Sequence, residues 1–204
     1  MKFLKIVFTV AIICAAYIGD YFVFRSKYSS SQTFRAILDS FVHASIGFLS
    51  SLIFFSHDNS NNLQYYAYNV TFCTVVSFLI DIDHAFVARS IYLKDMMNLR
   101  HRGIFHCTTF WLLITTIILL YSYLKKELNL YLMSFMLILA YTSHHLRDGN
   151  RRGLWMYPFG SSPPIDKTLY VFLLAMLPHV IAICYHTFKG GFTKNLVVDY
   201  TLVV

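Results

Sequence analysis

Four short segments carry residues able to hold a metal or move a proton, and their spacing gives those residues common directions. SHHLRDG at 143–149 sets His144 and Asp148 four residues apart, Asp39 and His43 repeat that interval, and DIDH at 81–84 sets Asp81 and His84 three apart, with Asp83 between them. Residues three or four apart share one face of a helix, so each pair aims two ligands the same way. HRGIFH at 101–106 places His101 and His106 on either side of Gly103, a turn across which two ligands can still converge. Mixed imidazole and carboxylate sets suit zinc, manganese or iron. A divalent ion of that kind lowers the pKa of a water toward ~7 and offsets charge on an attacked phosphoryl or acyl oxygen. Arginines stand beside the ligands: Arg102 and Arg147 are the expected contacts for an anionic group, while Arg151 and Arg152 are most simply read as lipid-headgroup contacts.

These residues need a scaffold, and composition says which kind. The 204 residues are 57% hydrophobic and only 13% charged, with a mean hydropathy of +0.55. Several uncharged runs approach the ~20 residues with which a helix crosses ~30 Å of hydrocarbon, and lipid cannot satisfy a free strand edge. The expectation is an all-α fold, a multi-pass transmembrane helical bundle of about six helices in a single integral membrane domain. The helices fall at roughly 3–24, 34–55, 65–88, 104–124, 128–148 and 168–188. Lys2 and Lys5 ahead of the first run give it the layout of a signal peptide, but Asp20-Tyr21-Phe22 offers no small-residue cleavage site. It is therefore read as a retained helix. Asn59, Asn61 and Asn62 mark a turn before the third helix.

The net charge of +7 gathers at segment ends, the pattern of interfacial anchoring in a lipid bilayer, and no nucleic-acid partner is expected. Basic residues lean to the side of the motifs, which the positive-inside bias would make cytosolic, but the lean shrinks once Arg102, Arg147, Arg151 and Arg152 are set aside for function. Cys14, Cys73, Cys107 and Cys184 lie inside apolar runs without paired spacing and read as small buried hydrophobes.

With six crossings, Asp20, Asp39, His43, Asp81 to His84, His101, His106 and His144 to Asp148 all fall on one face of the membrane. Tolerated polar residues would scatter between leaflets, so the convergence favours one shared site. Asp20, His57, His179 and His186, without paired partners, read as helix-to-helix hydrogen bonders. Two functions stay open: hydrolysis of a lipid-like ester or phosphoester by a bound divalent metal, or a non-enzymatic role in which the Asp/His network locks helix packing or passes ions or protons.

DIDH at 81–84, HRGIFHC at 101–107 and SHHLRDG with the later PFG at 158–160 resemble the D-x-D-H, H-R-G-x-x-H-S and S-H-x-x-x-D…P-F blocks of YdjM-like bacterial inner-membrane proteins, a group classed by its motifs as metal-dependent hydrolases. DIDHAFVARS, SHHLRDG and GLWMYPFG are closer still to the eukaryotic transmembrane protein 267 family, over most of the chain from the second helix to the sixth. The resemblance implies a multi-pass membrane protein, and assigns Asp81, Asp83 and His84 to the first block, His101, Arg102 and His106 to the second, and His144 and Asp148 to the third. Cys107 stands where the bacterial pattern has serine, and Arg147 and Gly149 replace apolar positions beside Asp148.

Overall fold

The computed structural model describes residues 2–58, 63–97, 99 and 101–199, with side chains described as far as residue 190. The expected asparagine turn at Asn59, Asn61 and Asn62 lies outside the described residues. The α-helices are α1 (Lys2–Phe24), α2 (Gln32–Phe55), α3 (Leu63–Leu79), α4 (Asp83–Ala88), α5 (Leu93–Met97), α6 (Thr108–Lys125), α7 (Leu128–Arg152) and α8 (Lys167–Asp199). No β-strand occurs among the described residues.

Helix starts and stops follow local chemistry. Ser31 caps α2, its hydroxyl accepting the Phe34 amide, which meets one of the donors a helix start leaves open. Helix α7 runs four residues past the expected end and stops at Gly153, whose φ of +70° places it in the left-handed region. A Cβ there would lie 1.8 Å from the Ser162 carbonyl oxygen, so both conformation and space demand glycine. The expected helix over 65–88 is interrupted after Leu79 by a 3-10 turn, Ile80–Ile82. On an unbroken helix Asp81 and Asp83 would point ~200° apart; after the break both carboxylates reach the same histidine. The basic loop that follows contains the short helix α5, which its composition did not announce.

Five helical stretches are long and apolar enough to cross a membrane: Lys2–Phe24, Gln32–Phe55, Leu63–Ala88, Thr108–Lys125 and Lys167–Gly190. Helix α7 has the length but is more polar, and its position explains why. It packs against α2, α3, α6 and α8, so its surface is met by protein rather than lipid. Buried polar side chains (Ser134, Ser143, His144, His145 and Arg147) can therefore ride on it.

Two apolar clusters hold the bundle. Phe54, Val70, Cys73, Phe135, Met136 and Tyr185 join α2, α3, α7 and α8, and Ile12, Ala16, Val42, Ile46, Tyr170 and Leu174 join α1, α2 and α8. Close approach of α2 to α3 depends on Gly47, where a Cβ would come within 2.7 Å of Ser77, the small-residue packing that membrane helices favour. Large apolar side chains such as Ile6, Phe41, Leu113, Ile117 and Phe172 cover the outside, the surface lipid would wet.

Candidate metal centre

Asp81 from the 3-10 turn, His106 from the turn before α6, and His144 and Asp148 from α7 bring four ligand atoms within 4.8 Å of one another. His106 Nε2 lies 3.3 Å from Asp81 Oδ1 and 3.3 Å from Asp148 Oδ2. His144 Nε2 lies 3.5 Å and 3.6 Å from the same two oxygens. The two imidazoles and two carboxylates thus face one point.

The far nitrogens show how the rings are set. His144 Nδ1 donates to the Ser77 carbonyl oxygen at 2.9 Å; a carbonyl only accepts, so a hydrogen is on Nδ1, and in the neutral ring Nε2 keeps the lone pair. His106 Nδ1 faces the Asp83 carboxylate at 3.0 and 3.1 Å. Asp83 is 2% exposed and also accepts the Phe105 amide. A ligating histidine held at its other nitrogen by a carboxylate or a backbone carbonyl is the usual support of a metal site. Neither His106 Nε2 nor His144 Nε2, both buried, has a hydrogen-bond partner.

Gly103 makes the His106 arrangement sterically possible. A Cβ at Gly103 would lie 2.2 Å from Asp83 Oδ2, so any larger residue would push the carboxylate away from the ring it orients.

His43 stacks on His144 with ring centroids 3.7 Å apart, and its Nε2 is 3.5 Å from Asp148 Oδ1. It flanks the four ligands without joining them. His84 donates from Nδ1 to the Asp81 carbonyl oxygen at 2.9 Å, which leaves the lone pair on Nε2, and the residue lines the adjoining cavity. Asp83, His84 and His106 form a second convergent group, but the nitrogens nearest Asp83 are the two Nδ1 atoms already engaged as donors. That makes Asp83 an orienting group.

Four residues stand other than expected. His101 is exposed and does not converge with the others: Arg102 Nη1 donates to the Gly153 carbonyl at 2.9 Å, and the turn that carries His106 inward leaves His101 outside. Arg147 is not available to an anionic ligand. It is 1% exposed, with Nη1 donating to Asp39 at 2.6 Å and Nε to Asp20 at 3.1 Å, and the Tyr170 hydroxyl also donates to Asp20. Arg151 is committed to protein as well, donating to Asp148 Oδ1 at 2.8 Å. Asp39 consequently pairs with Arg147 instead of joining His43 at the ligands.

His145, which no spacing argument singled out, lies buried beside the site. Its Nε2 donates to the Phe105 carbonyl at 2.9 Å and its Nδ1 faces the Thr108 hydroxyl at 3.2 Å. Both nitrogens are used, so it positions the turn that carries His106. The adjacent His-His pair was its one sequence signal.

His106 sits outside the membrane-crossing segments, and its titration follows from its neighbours. Burial lowers its pKa, but the surrounding carboxylates of Asp148, Asp81 and Asp83 outweigh burial and raise it well above the ordinary 6.5. A proton and a metal ion would compete for the same nitrogen.

A family model described as YdjM inner membrane protein matches residues 38–203, which includes every residue of the site except Asp20. Transmembrane protein 267 of Danio rerio is 33% identical over 169 residues, 82% of this chain and 74% of the relative. The protein of the same name in Xenopus laevis is 37% identical over 153 residues, 73% of this chain and 68% of the relative, and that of Mus musculus is 33% identical over 147 residues, 72% and 66%. No solved structure matches. With five apolar helices long enough to span, the chain is a multi-pass integral membrane protein. It belongs to the YdjM inner membrane protein family and is similar over most of its length to the vertebrate proteins named Transmembrane protein 267.

Proposed function

We propose that the protein is a metal-dependent hydrolase of a lipid-like ester or phosphoester, with a divalent ion held by Asp81, His106, His144 and Asp148. The observation that carries this reading is the pair of buried Nε2 atoms with no hydrogen-bond partner, each facing the same two carboxylates while its Nδ1 is held from behind. Two imidazoles and two carboxylates gathered within 4.8 Å call for positive charge among them; ring protons supply it when no metal is bound, and a divalent ion would supply it while engaging all four donors, a set that zinc, manganese or iron accepts. When bound, such an ion supplies Lewis-acid polarisation and a water of lowered pKa.

The chain's own groups would do the rest. His84 keeps the lone pair on Nε2, lines the adjoining cavity, and is placed to take a proton from a water attacking there. Asp83 and the Ser77 carbonyl fix the two ring planes. Helix α7, taken as a sixth crossing packed against α2, α3, α6 and α8, would hold the site at one membrane face, where an amphiphile presents its headgroup while its tail stays in lipid.

Elemental analysis of the purified protein, beside the His144→Ala plus Asp148→Ala variant, tests this reading. One equivalent of a transition metal in the parent and none in the variant is expected. No stoichiometric metal in the parent, after purification without chelator, overturns it.

The clamp of Arg147 by Asp20 and Asp39 favours a second role for part of the network. It ties α1, α2 and α7 together without touching the four ligands, and serves packing.

A further inference from the structure

Two cavities meet at the ligand cluster, and their linings differ in kind. The first, of about 90 Å³, lies against Asp81, His106 and Asp148 and is walled by Arg35, Arg102, Arg151 and Arg152. Four guanidinium groups face three carboxylates there, Asp39 being the third, before any divalent ion is counted. Arg151 is spent on Asp148 and Asp39. Arg35, Arg102 and Arg152 form no ion pair among the described residues, and burial lowers the pKa of Arg102.

The second cavity, of about 280 Å³, is lined by Phe78, Leu79, Ile82, Leu93, Met96 and Met97. It shares Ala36, Asp39, Asp81, His84, Met96 and Met97 with the first, so the apolar cleft opens directly onto the charged one. The cleft lies at the end of the span Leu63–Ala88. Phe78, Leu79 and Ile82 are among its exposed apolar side chains, which puts its mouth at the depth where acyl chains begin. Two flexible methionines on α5 form a wall that adapts to a chain rather than to one rigid shape.

We infer that the substrate is a bilayer amphiphile whose headgroup ends in a phosphomonoester, its phosphate among Arg35, Arg102 and Arg152 and its hydrocarbon in the α2/α3/α5 cleft. This rests on the proposed hydrolase reading of the adjoining ligands. Several guanidinium groups around one small space match an oxyanion with three or more acceptor oxygens better than a single carboxylate. The apolar cleft gives a free phosphate or a water-soluble phosphoester nothing to fill. The bond to be broken would then lie where the two cavities join, within reach of Asp81 and His84.

The test is lipid binding by the full chain in phosphatidylcholine nanodiscs, read by native mass spectrometry, with dioleoyl phosphatidic acid as the probe. Preferential retention of phosphatidic acid over phosphatidylcholine and oleate is expected. So is a loss of at least about tenfold in Arg35→Gln plus Arg152→Gln, because two charge-assisted contacts to the phosphate are removed together. Leu93→Trp, at a residue that lines the cleft and not the charged cavity, should lose retention of phosphatidic acid while leaving metal content at the parent's value. Equal retention of phosphatidic acid and phosphatidylcholine overturns the inference, as does oleate bound as well as phosphatidic acid. Inorganic phosphate or glycerol 3-phosphate displacing the lipid at equal concentration overturns the role of the cleft. Metal content is measured on the same samples: metal without lipid preference defeats this inference alone, and absence of metal defeats the hydrolase reading whatever the lipid does.

Discussion

His144 hands its Nδ1 hydrogen to the carbonyl oxygen of Ser77 at 2.9 Å, so a backbone group of α3 decides which nitrogen on α7 is left for a ligand. The carbonyl is free because helix α3 gives way to a 3-10 turn shortly afterwards, and the approach is close because Ser77 also packs on Gly47 of α2. The tautomer of one ring thus depends on the packing of three helices.

The equivalent support for His106 is a side chain and can be removed cleanly. Asp83→Asn keeps the shape but takes away the charge that stabilises the His106 Nδ1 hydrogen. Loss of such a support typically weakens metal binding by ~10–100-fold. Competition against a chromogenic chelator should show that loss with helicity unchanged; equal affinity in variant and parent would show that Asp83 has no part in orienting the ring.

Gly103→Ala asks the same question through sterics. The added methyl would meet Asp83 Oδ2 at 2.2 Å, and no movement of the methyl alone relieves that contact. The variant should bind metal as poorly as Asp83→Asn, and the double variant should be little worse than either, because both changes disturb one contact. Additive losses in chelator titrations would contradict this coupling.

How far the site could be read from the chain depended on where each partner sits. Asp81, His106, His144 and Asp148 were legible because pairs three to five residues apart share a direction and because alternate helix ends meet at one membrane face. Asp39 and His43 also share a face, yet they separate here: that face meets two neighbours, and Asp39 finds Arg147 while His43 finds His144 and Asp148. Asp20 carried no local signal, since the residue that needs it is 127 positions away. His145 lies ~100° around the helix from His144, so its role depends on what α6 brings there. The polarity of α7 weakened it as a span by hydropathy, although being surrounded by other helices is what permits that polarity.

Metal uptake should depend on pH in one direction. Without metal, Asp148, Asp81 and Asp83 raise the His106 pKa well above 6.5 in spite of burial, so near neutrality a metal ion displaces a proton from that ring. Affinity should therefore rise from pH 6 to pH 8, by about tenfold per unit for each proton displaced. Titrations at three pH values in two buffers of different ionisation enthalpy would report the proton released. A flat profile would mean His106 is not a ligand.

Arg147 supplies the contrast between holding the fold and holding the proposed metal. Its side chain is 1% exposed and ties Asp20 of α1 and Asp39 of α2 to α7. Arg147→Met leaves Asp20 without its cation and Asp39 with Arg151 alone, 3.6 Å away, and breaking a buried pair on one side costs about 3–5 kcal/mol. Thermal melts in detergent should drop sharply. Adding Asp20→Asn to that variant removes one stranded charge and should recover part of the loss, whereas Asp20→Asn alone should destabilise. His101→Ala, at an exposed position, should leave both melting temperature and metal content at the parent's values. If Arg147→Met melted like the parent, the three-helix clamp would contribute nothing, and the burial of this arginine would need another explanation.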